Sequence, residues 1–116
     1  MKVYKSNLSD RTLKFAKEII YLCKELPKNT VDAELAKQLA RSGTSIGANY
    51  REANDALSRK DFLHRLRISR KEAKETWYWL ELIIESKPGF KSKVEPLARE
   101  SEELVKILSA IIERSK

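Results

Sequence analysis

The chain has 116 residues, which leaves room for one domain around one hydrophobic core. Three Gly and three Pro are too few for a multi-stranded sheet with tight turns, and 35% charged residues interleaved with regular aliphatics exclude a disordered tail. The formal charge of +7 favours acidic partners, nucleic acid first and an anionic membrane surface second, and a plain solubilising surface explains the same charge equally well.

The lone Cys23 cannot form an intramolecular disulfide, and it falls among apolar helical positions, so a reduced, cytoplasmic setting is expected. No N-terminal stretch suits a signal peptide, and no apolar run approaches the roughly 20 residues of a membrane span. No membrane partner is expected.

The first predicted helix runs from about Asn7 to Leu26, with Leu8, Phe15, Ile19, Leu22 and Leu26 on one face. Asn7 or Ser9 is placed to cap it, and Pro27 ends it. The second starts at Thr30 as N-cap, with Asp32 and Glu34 complementing the helix dipole. Leu35, Leu39, Ser42, Ile46, Asn49, Ala53 and Leu57 share one narrow arc, and this phase survives Ser42-Gly43-Thr44-Ser45-Ile46-Gly47. Propensity alone makes that stretch a loop, because each Gly costs about 1 kcal/mol relative to Ala. The unbroken phase predicts continuous helix, with small residues allowing close approach of a neighbour. Gly43 and Gly47 have the spacing of a membrane dimerisation motif, but their polar setting favours soluble helix packing.

The third helix opens at Ser58 with Asp61 three residues on, a capping-box variant. Phe62, Leu66, Ser69, Ala73, Leu80 and Ile84 form its stripe, and Lys87-Pro88-Gly89 stops it. The fourth opens at Ser92 with Glu95 at the capping-box position and Pro96 in the first turn. Leu97, Ser101, Leu104, Leu108 and Ile111 form its stripe, widened by Val105 and Ile112. Four amphipathic helices on short connections predict an all-α, antiparallel, up-down-up-down four-helix bundle that occupies residues 1–116 as one domain.

Catalytic chemistry has little to work with, and no enzymatic activity is expected. His64 lies on the polar side of the third helix, far from Cys23 in sequence, and reads as a solvated residue. A di-iron bundle needs Glu-x-x-His pairs, and the one histidine has no Glu three residues before it. Glu52, Glu72 and Glu75 could approach one another, but charged partners, such as an Arg or Lys facing Glu75, are the simpler expectation. No cofactor or metal is expected.

Two features exceed the needs of a monomer. Between Arg59 and Lys74 the third helix carries seven basic residues, with Lys60, Arg67, Lys71 and Lys74 on one face, Arg70 beside them and Tyr78 one turn on. Such a stripe can neutralise phosphates of RNA or DNA, with Tyr78 available to stack on a base; a merely solvated face is the equal alternative. Second, Ile68 and Trp79, with Leu82 at the margin, lie away from the core stripe, next to Glu72 and Glu75. Leu13 and Ile20 lie similarly off the first helix's stripe. These suggest a homo-oligomer interface, while Trp79 as a cap on the core edge is the alternative.

The segment Arg41-Ser42-Gly43-Thr44-Ser45-Ile46-Gly47-Ala48-Asn49-Tyr50-Arg51-Glu52-Ala53 resembles the most characteristic stretch of the four-helix-bundle proteins encoded by 23S rRNA intervening sequences. Ser58-Arg59-Lys60-Asp61-Phe62, Lys71-Glu72-Ala73-Lys74-Glu75-Thr76 and Tyr78-Trp79-Leu80 are similar to the same family's third helix. The resemblance implies an antiparallel bundle assembling as a homo-oligomer, typically a pentameric ring. It extends to the accessory variability protein of diversity-generating retroelements, a basic pentamer that binds nucleic acid and partners a reverse transcriptase. It implies no catalytic residue. Its recurrent polar positions correspond to Ser45, Asn49, Glu52, Glu72 and Glu75, expected to orient helices and subunits through buried hydrogen bonds and ion pairs.

Overall fold

The computed structural model describes residues 2–116, with side chains from Asn7 onward. Four helices follow one another: α1 (Lys2–Glu25), α2 (Thr30–Asn54), α3 (Arg59–Ser86) and α4 (Lys91–Ser115), with a 3-10 turn at Pro88–Phe90. No strand occurs among the described residues.

Contacts between helix ends fix the topology. Gly43 and Gly47 of α2 meet Ile19 and Thr12 of α1 in reversed order. The start of α2 touches the end of α3, where Ser86 Oγ donates to Asp32 at 2.7 Å. The start of α3 reaches the end of α4, where Arg59 donates to the Ser115 carbonyl. Each helix is therefore antiparallel to the next, and the bundle is up-down-up-down. Its long dimension, 44 Å, is close to the length of α3.

The core runs the length of the bundle. Phe15, Ile19, Leu39, Ile46, Leu66, Leu80, Leu104 and Leu108 are fully buried, each worth about 1.5–3 kcal/mol relative to exposure. Tyr50, Thr76, Ile83, Val94 and Ala98 are also buried and widen the predicted stripes. Across the α2–α3 seam the fill is small and polar. Ser69 Oγ donates to the Ile46 carbonyl at 2.7 Å, and Thr76 Oγ1 bonds Ser42 Oγ at 2.9 Å.

α2 is continuous through Gly43 and Gly47, as the apolar phase predicts. A methyl group on Gly43 would lie 2.9 Å from Ile19 Cγ2, and one on Gly47 would lie 2.7 Å from Thr12 Oγ1. Glycine is needed there for helix approach, and the adjoining turns supply the helical hydrogen bonds that propensity alone would not secure.

Several predicted boundaries are corrected. α1 begins before Asn7 and Ser9, so both lie inside it and neither caps it. The α2 cap is Asn29, not Thr30: its Oδ1 accepts the Asp32 N–H at 2.9 Å while its Nδ2 donates to the Asp32 carboxylate at 2.7 Å. Thr30 is already the first helical residue, so the capping role falls to the extended residue before it, Asn29 (φ −73°, ψ 168°). Leu57 lies past the end of α2 and is fully exposed, because Ser58 must turn extended (φ −140°, ψ 158°) to cap α3. That cap forms as predicted, with Ser58 Oγ accepting the Asp61 N–H at 3.1 Å. Lys87 leaves the helical region ahead of Pro88, which ends α3. The 3-10 turn then feeds directly into α4 from Phe90, so Ser92 is not a cap and Pro96 lies inside the helix rather than in its first turn.

Candidate nucleic-acid interface

α3 is the longest helix and packs on both neighbours, α2 along one flank and α4 along the other. Its polar residues divide accordingly. On the α2 flank, Arg41 forks between two carboxylates one turn apart, at 2.7 Å from Glu75 Oε1 and 3.3 Å from Glu72 Oε1. The Glu75 hydrogen bond, ahead of the fields of both carboxylates, raises the Arg41 pKa further above its ordinary value. Glu72 and Glu75 are thus held by an arginine of the neighbouring helix, in line with the expectation for Glu75.

The outward face of α3, turning toward α4, is basic. Lys60, Arg67, Lys71 and Lys74 are exposed, and Lys60, Lys71 and Lys74 have no ion-pair partner among the described residues. Arg70 stands apart from them. It is half-buried, with Nη1 donating to Ser109 Oγ of α4 at 3.3 Å, so it is anchored between helices. Glu113 of α4 sits below its ordinary pKa chiefly through Lys116, with smaller contributions from Arg70 and Arg67. Tyr78 continues the stripe and is exposed; its ring meets the Trp79 ring edge-on, with centroids 5.2 Å apart.

One aromatic escaped the sequence reading. Trp77 is 39% exposed and lines a groove of about 260 Å³ with Lys74 on α3 and Glu102, Val105 and Lys106 on α4. The signal available was its position three residues after Lys74, one turn along the same flank.

The proposed interface residues lie on the α2 side of α3, directly beside the basic stripe: Ile68 and Glu75 each stand one turn from Lys71. Ile68, Glu75 and Leu82 are half-buried, and Glu72 is buried beside Arg41. Trp79 is half-buried against the core of its own chain, with its indole Nε1 buried and without an acceptor. Leu13 and Ile20 are exposed on α1, off its core face, as expected.

Among the recurrent polar positions, Ser45 and Asn49 differ from the expectation of bridging helices. Ser45 Oγ donates to the Arg41 carbonyl at 2.6 Å and Asn49 Nδ2 to the Ser45 carbonyl at 2.9 Å, both back into α2. Glu52 is exposed rather than buried. One α-helical turn separates each donor from the carbonyl it reaches, so the side chain is satisfied locally before another helix comes within range. His64 is exposed. Burial raises the Cys23 thiol pKa, and its Sγ lies 3.4 Å from the Ala36 carbonyl. No cluster of His, Cys, Asp and Glu suited to a metal occurs among the described residues, and no helix is long and apolar enough to cross a membrane.

The arrangement is similar to a solved structure. The crystal structure, at 1.70 Å resolution, of a protein with unknown function from the S23 ribosomal protein family of Bacteroides thetaiotaomicron VPI-5482 has a TM-score of 0.86 and 43% sequence identity, covering 94% of this chain and 97% of that one. No curated protein matches the sequence. Residues 5–110, which include the Arg41–Ala53 segment and all of α3, match the family model described as 23S rRNA-intervening sequence protein, and the chain belongs to that family.

Proposed function

We propose that this protein is a non-enzymatic, homo-oligomeric adaptor that binds RNA or DNA in the cytoplasm through the basic flank of α3. The observation that carries the reading is the segregation of charge on α3. Arg41 engages Glu72 and Glu75 on the α2 flank, while Lys60, Lys71 and Lys74 stand exposed and unpaired among the described residues on the outward face beside it. A face of unpaired lysines aligned over about 21 Å of helix suits a phosphate backbone. Assembly follows from the second surface: Ile68, Trp79 and Leu82 on α3, and Leu13 and Ile20 on α1, leave apolar area that another subunit would cover. A ring of subunits, five by the family resemblance, would repeat the basic flank and convert weak sites into avid ones.

The same apolar surfaces favour a second reading, a self-assembling scaffold that binds only protein, such as a reverse transcriptase. Anisotropy of labelled RNA and DNA separates the two. The adaptor binds at low salt and releases steeply as salt rises, whereas a protein that shifts neither nucleic acid at low salt is the scaffold.

A further inference from the structure

We infer that the groove between α3 and α4 is a stacking site for an unpaired base, so that the protein prefers single-stranded over duplex nucleic acid. The inference rests on the phosphate-binding reading of α3 and names the class of strand that reading leaves open. A tryptophan is among the side chains a folded domain most readily covers, yet Trp77 keeps 39% of its surface exposed, and its neighbour Tyr78 keeps 53%. Both follow Lys74 by one helical turn, at the end of the Lys60–Lys71 stripe. A strand whose phosphates run along the lysines therefore arrives at two aromatic faces.

The groove has the composition such a base requires. Trp77 and Val105 supply an apolar floor, and Lys74 and Lys106 stand at its rim. Lys106 also pairs with Glu103 at 3.3 Å, so Lys74 is the rim cation open to a phosphate. Glu102 is the acidic group in the lining. It repels a phosphate placed in the groove, but it accepts a hydrogen bond from a base amino group such as cytosine N4. Phosphate outside on the lysines and base inside on Trp77 is the orientation that satisfies both signs. A duplex keeps its bases stacked on one another and cannot present a face to Trp77 without unpairing.

The test uses the full chain with oligodeoxycytidine and with a duplex of equal length, reading intrinsic tryptophan fluorescence and binding. Single strand should quench the emission, and the quench should vanish in Trp77→Phe, which leaves Trp79 as the remaining tryptophan of the two. Trp77→Ala should weaken single-strand binding by about fivefold to a hundredfold and leave duplex binding unchanged. If single strand binds without quenching and Trp77→Ala binds it as tightly as the parent, the stacking site is refuted while the basic-flank reading stands. If neither strand form binds at low salt, the basic-flank reading falls and the stacking site falls with it. Should Trp77→Ala fail to fold by circular dichroism, the quench in the parent and its loss in Trp77→Phe decide alone.

Discussion

At Gly47 an added methyl group would meet Thr12 Oγ1 at 2.7 Å and Thr12 Cβ at 3.0 Å, both on a β-branched side chain with little freedom to yield. Alanine gains about 1 kcal/mol in helix propensity over glycine, but overpacking a close helix crossing costs about 1–3 kcal/mol. Gly47→Ala should therefore lower the melting temperature. Gly89→Ala, with nothing within 4 Å of the new methyl, should leave it unchanged or slightly raised. Equal behaviour of the two in thermal melts would contradict the packing account. Asp32 poses a different residue-scale question. It is buried, and hydrogen bonds from Ser86 and then Asn29 hold its carboxyl below the usual range against the opposing effect of burial. Its folded-state pKa is lower than its unfolded one. The ionised group therefore stabilises the fold above the unfolded value of about 3.9, and that contribution is lost as pH falls through the folded value. Urea midpoints of the parent and Asp32→Asn should differ at neutral pH and converge only as pH falls below the unfolded value and through the lower folded one. A gap that stays constant with pH would mean the carboxylate's charge contributes nothing.

Single elements show where sequence periodicity is informative and where it stops. The continuity of α2 through Gly43 and Gly47 was legible because phase accumulates over many residues, outweighing two local propensity penalties. Periodicity also carried Leu57 into the core, because a wheel has no means of registering where the helix ends; Ser58 decides that by capping α3. Thr30 and Ser92 each look like caps in isolation. The actual starts depend on the residue before them, the Asn29 carboxamide in one case and the 3-10 turn through Phe90 in the other. Tyr50, Ile83 and Val94 are buried although they lie outside the predicted stripes, so the buried arc of each helix is wider than a single narrow stripe records. For the α3 surface the sequence disclosed the basic stripe but not its limits. Arg70 is held by Ser109 on α4, and Trp77 lines the groove beside the same helix. Substitutions can separate phase from burial. Leu57→Ser should change stability by no more than about 0.5 kcal/mol, whereas Leu39→Ala should cost about 2–5 kcal/mol. A comparable loss from both, by chemical denaturation, would return Leu57 to a buried surface. The Arg41 fork is half-exposed, so a double-mutant cycle of Arg41→Ala with Glu75→Ala should give a coupling of at most about 1 kcal/mol, shrinking as salt is added.

For the whole molecule, the proposed assembly and the proposed binding make separate predictions. Light scattering at micromolar concentration should give a mass several times the 13.4 kDa of one chain, and a value at 13.4 kDa would overturn the oligomer. Lys60, Arg67, Lys71 and Lys74 are exposed and lie outside the core, so charge reversal on them should leave that mass and the helical circular dichroism unchanged; a variant that dissociates would place them in the subunit interface. Phosphate contacts carry no base identity, so affinity along the flank should vary little with sequence at a given strand form. The most direct measurement is the salt dependence of nucleic-acid affinity in the parent and in Arg67→Glu/Lys71→Glu. The parent should lose affinity linearly in log salt, at about 0.7–0.9 per phosphate neutralised. The double variant should bind more weakly with a shallower slope, at unchanged mass. Equal affinity and equal slope in the two proteins would contradict the claim that α3 holds the phosphate backbone.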